Sequence, residues 1–240
     1  LGITIMAASI YIHNFIVFLI FNVLLYHCQS FILFDARHTR SRTSIQMNTL
    51  ADSRDPLLLR TARGEIVERT PVWMMRQAGR HMEAYRNICK TYPTFRERSE
   101  IAEVAVEISL QPWRKYHTDG CILFSDILTP LPGMGVDFNI LENEGPKMNP
   151  WRTMADVERI HTIDPVRATP FVAEALKCLR QEVGKKATVL GFVGLPYTLA
   201  TYLVEGGSSS DFKYIKTLGY QTPVVLHAML DRLAQNVAEY

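Results

Sequence analysis

The sequence is poor in the features that mark several common functions. Its four cysteines, Cys28, Cys89, Cys121 and Cys178, lie far apart with no CxxC pair, which points to reduced thiols and against a disulfide framework or a structural zinc. The net charge is only +2, and the basic residues come in local groups rather than a long stripe, which argues against a general nucleic-acid binder. No apolar run is followed by GxGxxG, and no glycine group carries the Lys-Ser/Thr of a phosphate cradle. No set of metal ligands stands out, so no metal is expected. Charge is absent altogether before Asp35.

What is present begins with that uncharged start. Residues 1–30 are apolar or neutral, densest at Phe15-Ile-Val-Phe-Leu-Ile-Phe21 and interrupted by Asn22 and His27, closer to a signal-peptide core than to a clean spanning helix. Cys28-Gln29-Ser30 offers the small residues a signal peptidase reads. Residues 31–47 then open on Phe31 and are basic, hydroxyl-rich and acid-poor, the composition of a transit peptide. The two segments together resemble the bipartite leader of proteins sent into plastids (chloroplasts) bounded by extra membranes. Membrane contact is then expected only through an uncleaved leader; the competing reading is an N-terminal anchor. Residues 48–240 read as the globular part.

With 240 residues, 48% of them hydrophobic, there is chain enough for a full core. Asp55-Pro56 introduces a short helix over Leu57-Leu-Leu59. Val72, Trp73, Met74 and Met75 follow Pro71 as a short apolar run, suited to a strand over 71–76 that is covered on both faces. Thr94-x-x-Glu97 is a capping box, and Ile101, Val104, Ala105 and Ile108 trace the apolar face of the helix it starts. Cys121-Ile-Leu-Phe124 reads as a second strand and residues 188–193 as a third. Between them, residues 129–151 form a long irregular excursion rich in proline and glycine, and excursions of that length are often functional. Thr169-Pro170 and Thr222-Pro223 are expected to cap helices whose apolar faces run Val172, Ala175, Leu176, Leu179, Val183 and Leu226, Met229, Leu230, Leu233, Val237.

Strand and helix alternate, and the strands read as buried, so a parallel α/β sheet is expected. The absent GxGxxG speaks against a doubly wound nucleotide fold, whereas a (β/α)8 TIM barrel places functional groups at the C-terminal ends of its strands. Arg76, Asp126 and the Gly194 segment all fall there. Arg76, Arg80 and Arg86 crowd the end of the first run, and guanidiniums match carboxylates or phosphates bidentately, so the expected ligand is a multiply anionic small molecule, the competing reading of the same spacing being a solvated surface turn. Only about three βα units are legible, which suggests a barrel truncated to its N-terminal part.

Three stretches carry a family resemblance: Pro71-Val-Trp-Met-Met-Arg-Gln-Ala-Gly-Arg80, Leu123-Phe-Ser-Asp-Ile-Leu128 and residues 191–207. Together they resemble the uroporphyrinogen decarboxylases, and residues 89–99 and 125–134 resemble the plastid branch. The resemblance implies a cofactor-free TIM-barrel carboxy-lyase, commonly a homodimer, that converts uroporphyrinogen III to coproporphyrinogen III in heme and chlorophyll biosynthesis. It also implies roles. Arg76 and Arg80 hold substrate carboxylates with Gln77 beside them, Asp126 accepts the pyrrole N–H groups, Tyr202 hydrogen-bonds near the reacting acetate, and Phe192 with residues 194–196 lines the pocket. Arg76, Asp126 and Tyr202 are the expected catalytic set. His81, Leu195 and Tyr197 depart from the family's usual tyrosine, alanine and plainer aromatic, and the family's active-site serine and histidine have no counterpart before Tyr240. Two rivals are a cobamide methyltransferase-like relative, against which the Arg-Gln-Ala-Gly-Arg stretch argues, and an inactive truncated tetrapyrrole-binding or membrane-anchored protein.

Overall fold

The computed structural model describes residues 55–74, 79–141 and 145–240. The expected leader, Arg76 and Gln77 lie outside the described residues. Helix α1 (Leu57–Ala62) follows Pro56, whose fixed φ suits a helix entry. Residues 71–74 do not form the expected strand covered on both faces: they join no ladder, and Val72 and Met74 are 56% and 45% exposed. The reason is Asp119. Its Oδ2 accepts from Val72 N at 2.7 Å while Arg69 clasps both carboxylate oxygens at 2.7 Å, so a side chain occupies the N–H that a strand partner would use.

Helices α2 (Glu83–Thr91), α3 (Phe95–Glu100) and α4 (Ala102–Tyr116) come next. The capping box forms as expected, Thr94 Oγ1 accepting from Glu97 N and Glu97 Oε2 from Thr94 N. The single helix expected through Ile101 instead breaks there, at φ −89° and ψ 111°. Ile101 is 37% exposed. Its extended backbone ends α3 and starts α4 on a new axis, which lets Val104, Ala105 and Ile108 bury together without it.

Strand β1 (Gly120–Ile122) follows. The excursion after it is more ordered than its composition suggests: a 3-10 turn at Leu131–Met134 leads to an antiparallel hairpin of β2 (Asn139–Leu141) and β3 (Gly145–Lys147). Helices α5 (Met154–Glu158), α6 (Pro165–Ala168) and α7 (Pro170–Val183) lead into β4 (Thr188–Leu190). Helices α8 (Pro196–Glu205), α9 (Lys213–Gln221) and α10 (Pro223–Glu239) follow. Thr169 and Thr222 stand at the expected N-caps with proline at the first helical position, but neither side chain caps its helix. Thr169 Oγ1 donates back to Pro165 O at 3.0 Å and Thr222 Oγ1 to Leu218 O, because a preceding helix ends at each threonine and its orphan carbonyl captures the hydroxyl.

The architecture is α/β. β1 and β4 pair in parallel, Gly120 with Thr188, Cys121 with Val189 and Ile122 with Leu190. α4 and α7 pack together beside them, burying Leu110, Cys121, Ala175, Leu179 and Val183. A larger cluster joins α8 and α10 to the excursion through Leu131, Met134, Leu199, Leu203, Met229 and Leu233. Each such side chain contributes about 1.5–3 kcal/mol on burial. Gly206 fixes the excursion in place. With φ at +77° it ends α8, its carbonyl accepts from Met148 N at 3.1 Å, and a Cβ would stand 3.0 Å from Met148 O. Among the described residues, no helix is long and apolar enough to cross a membrane.

Candidate active site

The segment that leaves β1 is bound on every side before it reaches Asp126. Leu123 N extends the pairing to Leu190 O at 2.9 Å, and Phe124 N donates to Ser109 Oγ on α4 at 2.7 Å. Ser125 Oγ meets Thr129 Oγ1 at 3.1 Å. Asp126 then closes a turn: its Oδ1 accepts from Leu128 N at 2.7 Å, and its carbonyl accepts from Thr129 N at 3.2 Å. One carboxylate oxygen is thus anchored in the manner of an Asx turn. The other takes no hydrogen bond among the described residues and remains an open acceptor. Burial pushes the Asp126 carboxyl above its ordinary range, partly offset by the bond from Leu128 N.

The loop after β4 meets this turn directly. Gly194 N donates to Ile127 O at 3.0 Å, and the approach is so close that a Cβ on Gly194 would stand 3.0 Å from Ile127 O and 2.7 Å from Leu199 Cδ2. Glycine is therefore needed there to join the two strand ends. Pro196 opens α8 at its first position, and Tyr202 follows on the same helix. Tyr202 and Ile127 both pack against the larger hydrophobic cluster. The Tyr202 hydroxyl makes no hydrogen bond among the described residues, while its carbonyl accepts from Gly206 N and Gly207 N. Phe192 is half-buried, and Leu195 and Tyr197, the two departures on this loop, are 60% and 53% exposed.

Arg80 stands apart from this network. It is exposed, and its main chain rather than its guanidinium is engaged: Arg80 O accepts from Arg86 Nη1 at 2.8 Å. His81, the third departure, is exposed beside it. Arg76 and Gln77 lie outside the described residues. The link between the arginine segment and the Asp126 turn is aromatic, since the Phe124 ring lies 5.9 Å from that of Tyr85 and 5.2 Å from that of Phe95.

Two residues went unread in the sequence. Arg98 is buried on α3 beside these rings, although nothing in its spacing separates it from exposed arginines nearby. Asp119, which reads as the end of a connection, is the clasp for Arg69 and Val72, and the Arg69 guanidinium holds its carboxyl below the usual range. Cys89, Cys121 and Cys178 are free thiols, and burial pushes Cys121 up to about 11, which leaves it inert. Among the described residues, no group of three or more His, Cys, Asp or Glu is placed to hold a metal ion.

An anchored carboxylate at the junction of two strand ends, whose second oxygen takes no hydrogen bond among the described residues, suits a ligand that carries N–H donors. The family model described as uroporphyrinogen decarboxylase (URO-D) matches residues 53–240. A uroporphyrinogen decarboxylase of Synechocystis sp. is 55% identical over 186 residues, 77% of this chain and 53% of that protein. Those of Picosynechococcus sp. and Thermosynechococcus vestitus are each 56% identical over 77% of this chain, covering 53% and 54% of their own length. This chain spans about half the length of the curated relatives it matches. Among solved structures, a methyltransferase from Methanosarcina mazei shares the fold with a TM-score of 0.57 at 21% identity, over 74% of this chain and 50% of that one. On the family model and these identities, the chain belongs to the uroporphyrinogen decarboxylase family.

Proposed function

We propose that the protein removes the carboxyl groups from the four acetate side chains of uroporphyrinogen III to give coproporphyrinogen III, and that the described residues supply the first three βα units of a (β/α)8 barrel. In that barrel the segment through Val72 takes the place of the first strand, although it joins no ladder among the described residues, and β1 and β4 are the two strands that follow. The bond from Asp119 N to Val72 O at 2.9 Å and the parallel β1–β4 pairing support that order. The observation that carries the reading is the open oxygen of Asp126, anchored through its partner oxygen at the end of β1.

The chemistry follows from that carboxylate. Protonation of a pyrrole carbon makes the ring an electron sink. The bond between the acetate methylene and its carboxylate breaks, carbon dioxide leaves, and the electron pair flows into the ring. A proton delivered to the exocyclic carbon then completes the methyl group while the ring carbon gives up the proton it had gained, which restores the pyrrole, so each turn of the cycle consumes one net proton and releases one carbon dioxide. Asp126 accepts the pyrrole N–H groups and stabilises the positive charge as it develops, an effect strongest where the acceptor is already fixed. Tyr202 stands near the reacting acetate, and Arg76, Gln77 and Arg80 hold carboxylates. Arginines speed the reaction only as far as they favour the transition state over the bound substrate.

In this reading the protein pairs with a second copy, is carried to the plastid by residues 1–47 and serves heme and chlorophyll synthesis. The test is to supply the full-length protein anaerobically with chemically reduced uroporphyrinogen III and to separate the oxidised products by carboxylate number. Stepwise appearance of seven-, six-, five- and four-carboxylate species is expected. Recovery of the starting material alone, from folded protein, would refute the proposal.

A further inference from the structure

Beside Arg80 lies a groove of about 290 Å³, lined by Arg80, Tyr85, Arg86, Cys89, Pro93 and Arg98. Three of these residues are arginines and none is acidic. Arg80 and Arg86 are exposed at its mouth, whereas Arg98 is only 8% exposed. Arg98 Nη1 donates to Tyr92 O at 2.7 Å and Pro93 O at 2.6 Å, where α2 gives way to α3. Its guanidinium lies 5.8 Å from the Tyr85 ring centre and 6.0 Å from that of Phe95. Its Nε is buried and has no hydrogen-bond partner. Buried donors are almost always paired, and buried charges are paired with opposite charge. Among the described residues, no carboxylate pairs with Arg80, Arg86 or Arg98.

A guanidinium held by two carbonyls, set near two rings and without a carboxylate partner among the described residues is prepared for an anion from outside the chain. We infer that this groove binds one carboxylate, with Arg98 at its floor and Arg80 and Arg86 at its mouth, and that the carboxylate is one arm of the polycarboxylate substrate. The assignment to substrate rests on the decarboxylase reading above. Size supports it: about 290 Å³ lies at the small end of ligand pockets and admits a carboxylate-bearing arm, while a tetrapyrrole ring needs more room. Position supports it too. Phe124 packs on both Tyr85 and Phe95, and Tyr85 lines the groove, while Phe124 stands two residues before Asp126, so the groove and the Asp126 turn are joined through one aromatic side chain.

The test uses the full-length protein labelled in its arginine side chains. The Nε–Hε signal of Arg98 is assigned by its loss in Arg98→Lys and followed as acetate is added, and kcat and KM for uroporphyrinogen are measured in parallel. Because Arg98 also caps two carbonyls, Arg86→Met serves as the second variant at an exposed position. Acetate should shift the Arg98 signal, and Arg86→Met should weaken that response and raise KM about tenfold with kcat unchanged, the effect of losing one charge-assisted bond. An Arg98 signal that stays put in excess acetate overturns the inference. A shift with acetate but no change of KM in Arg86→Met overturns the assignment to a substrate arm. If the full-length protein turns nothing over while acetate still moves the signal, the decarboxylase reading fails and the groove stands as a carboxylate site.

Discussion

The Asp126 turn and the arginine segment face the same expected ligand but are built in opposite ways. Asp126 is fixed through its own carboxylate, through Thr129 and through the Gly194–Ile127 bond. Arg80 and Arg86 are exposed, and neither guanidinium pairs with a carboxylate among the described residues. The difference matches two tasks. A group that stabilises charge developing in a ring works best when it needs no reorganisation during reaction. On the proposed function, groups that hold carboxylates on a substrate losing four of them one after another must accommodate a changing anion, and exposed arginines can move.

The sharpest way to break this contrast is Asp126→Asn, which keeps an acceptor for Leu128 N but removes the charge. It should lower kcat by roughly 100- to 1,000-fold, the scale of losing a fixed electrostatic group at a reaction centre, with the thermal midpoint little changed. Since burial raises the Asp126 carboxyl and catalysis needs it ionised, the acid limb of kcat/KM should lie above the ordinary aspartate value of about 3.9 and should vanish in the variant. A limb that survives in Asp126→Asn would belong to another group.

Gly194→Ala tests the junction behind Asp126. Its Cβ would press on Leu199 Cδ2 and Ile127 O, so a loss of about 1–3 kcal/mol in denaturant unfolding is expected, together with a fall in kcat as the turn shifts. Arg80→Ala should act on the other side alone, raising KM about tenfold and leaving stability unchanged. Equal loss of kcat and kcat/KM there would mean that Arg80, too, acts mainly in the transition state. The smallest effect is expected at Asp119. Its carboxyl is held below the usual range by Arg69, so its contribution is present above about pH 3.9 and is lost as pH falls through the lower folded value. Asp119→Asn should cost about 1 kcal/mol at neutral pH and blunt the loss of stability in acid, with KM unaffected.

Local signals read well. The Thr94–Glu97 box forms, and the faces through Leu179 and Val183 and through Met229 and Leu233 bury as their spacing implies. The Gly194 loop meets the Asp126 turn because strand ends follow from strand positions. Long-range competition was not legible. The Asp119 carboxylate takes a main-chain donor 47 positions away, helix ends capture the hydroxyls of Thr169 and Thr222, and the bend at Ile101 answers to packing that periodicity alone does not encode. Helix α9, with only Ile215 and Leu218 buried, offers too short an apolar stripe to announce itself. Arg98 is hidden for a related reason: a short helix turns one arginine inward through its placement against Tyr85 and Phe95, not through its sequence neighbours.

The pairing of Gly120 with Thr188 bears on how this chain reaches its native state. A parallel pair closed over so long a connection pays its loop entropy before the ladder returns anything. Helices α8, α9 and α10, adjacent in sequence and packed on one another, face no such delay and should condense early. The bond between Gly194 and Ile127 spans the same gap, so the floor beneath Asp126 belongs to the late events of folding, and slow steps in the acquisition of activity should track the docking of β4 on β1.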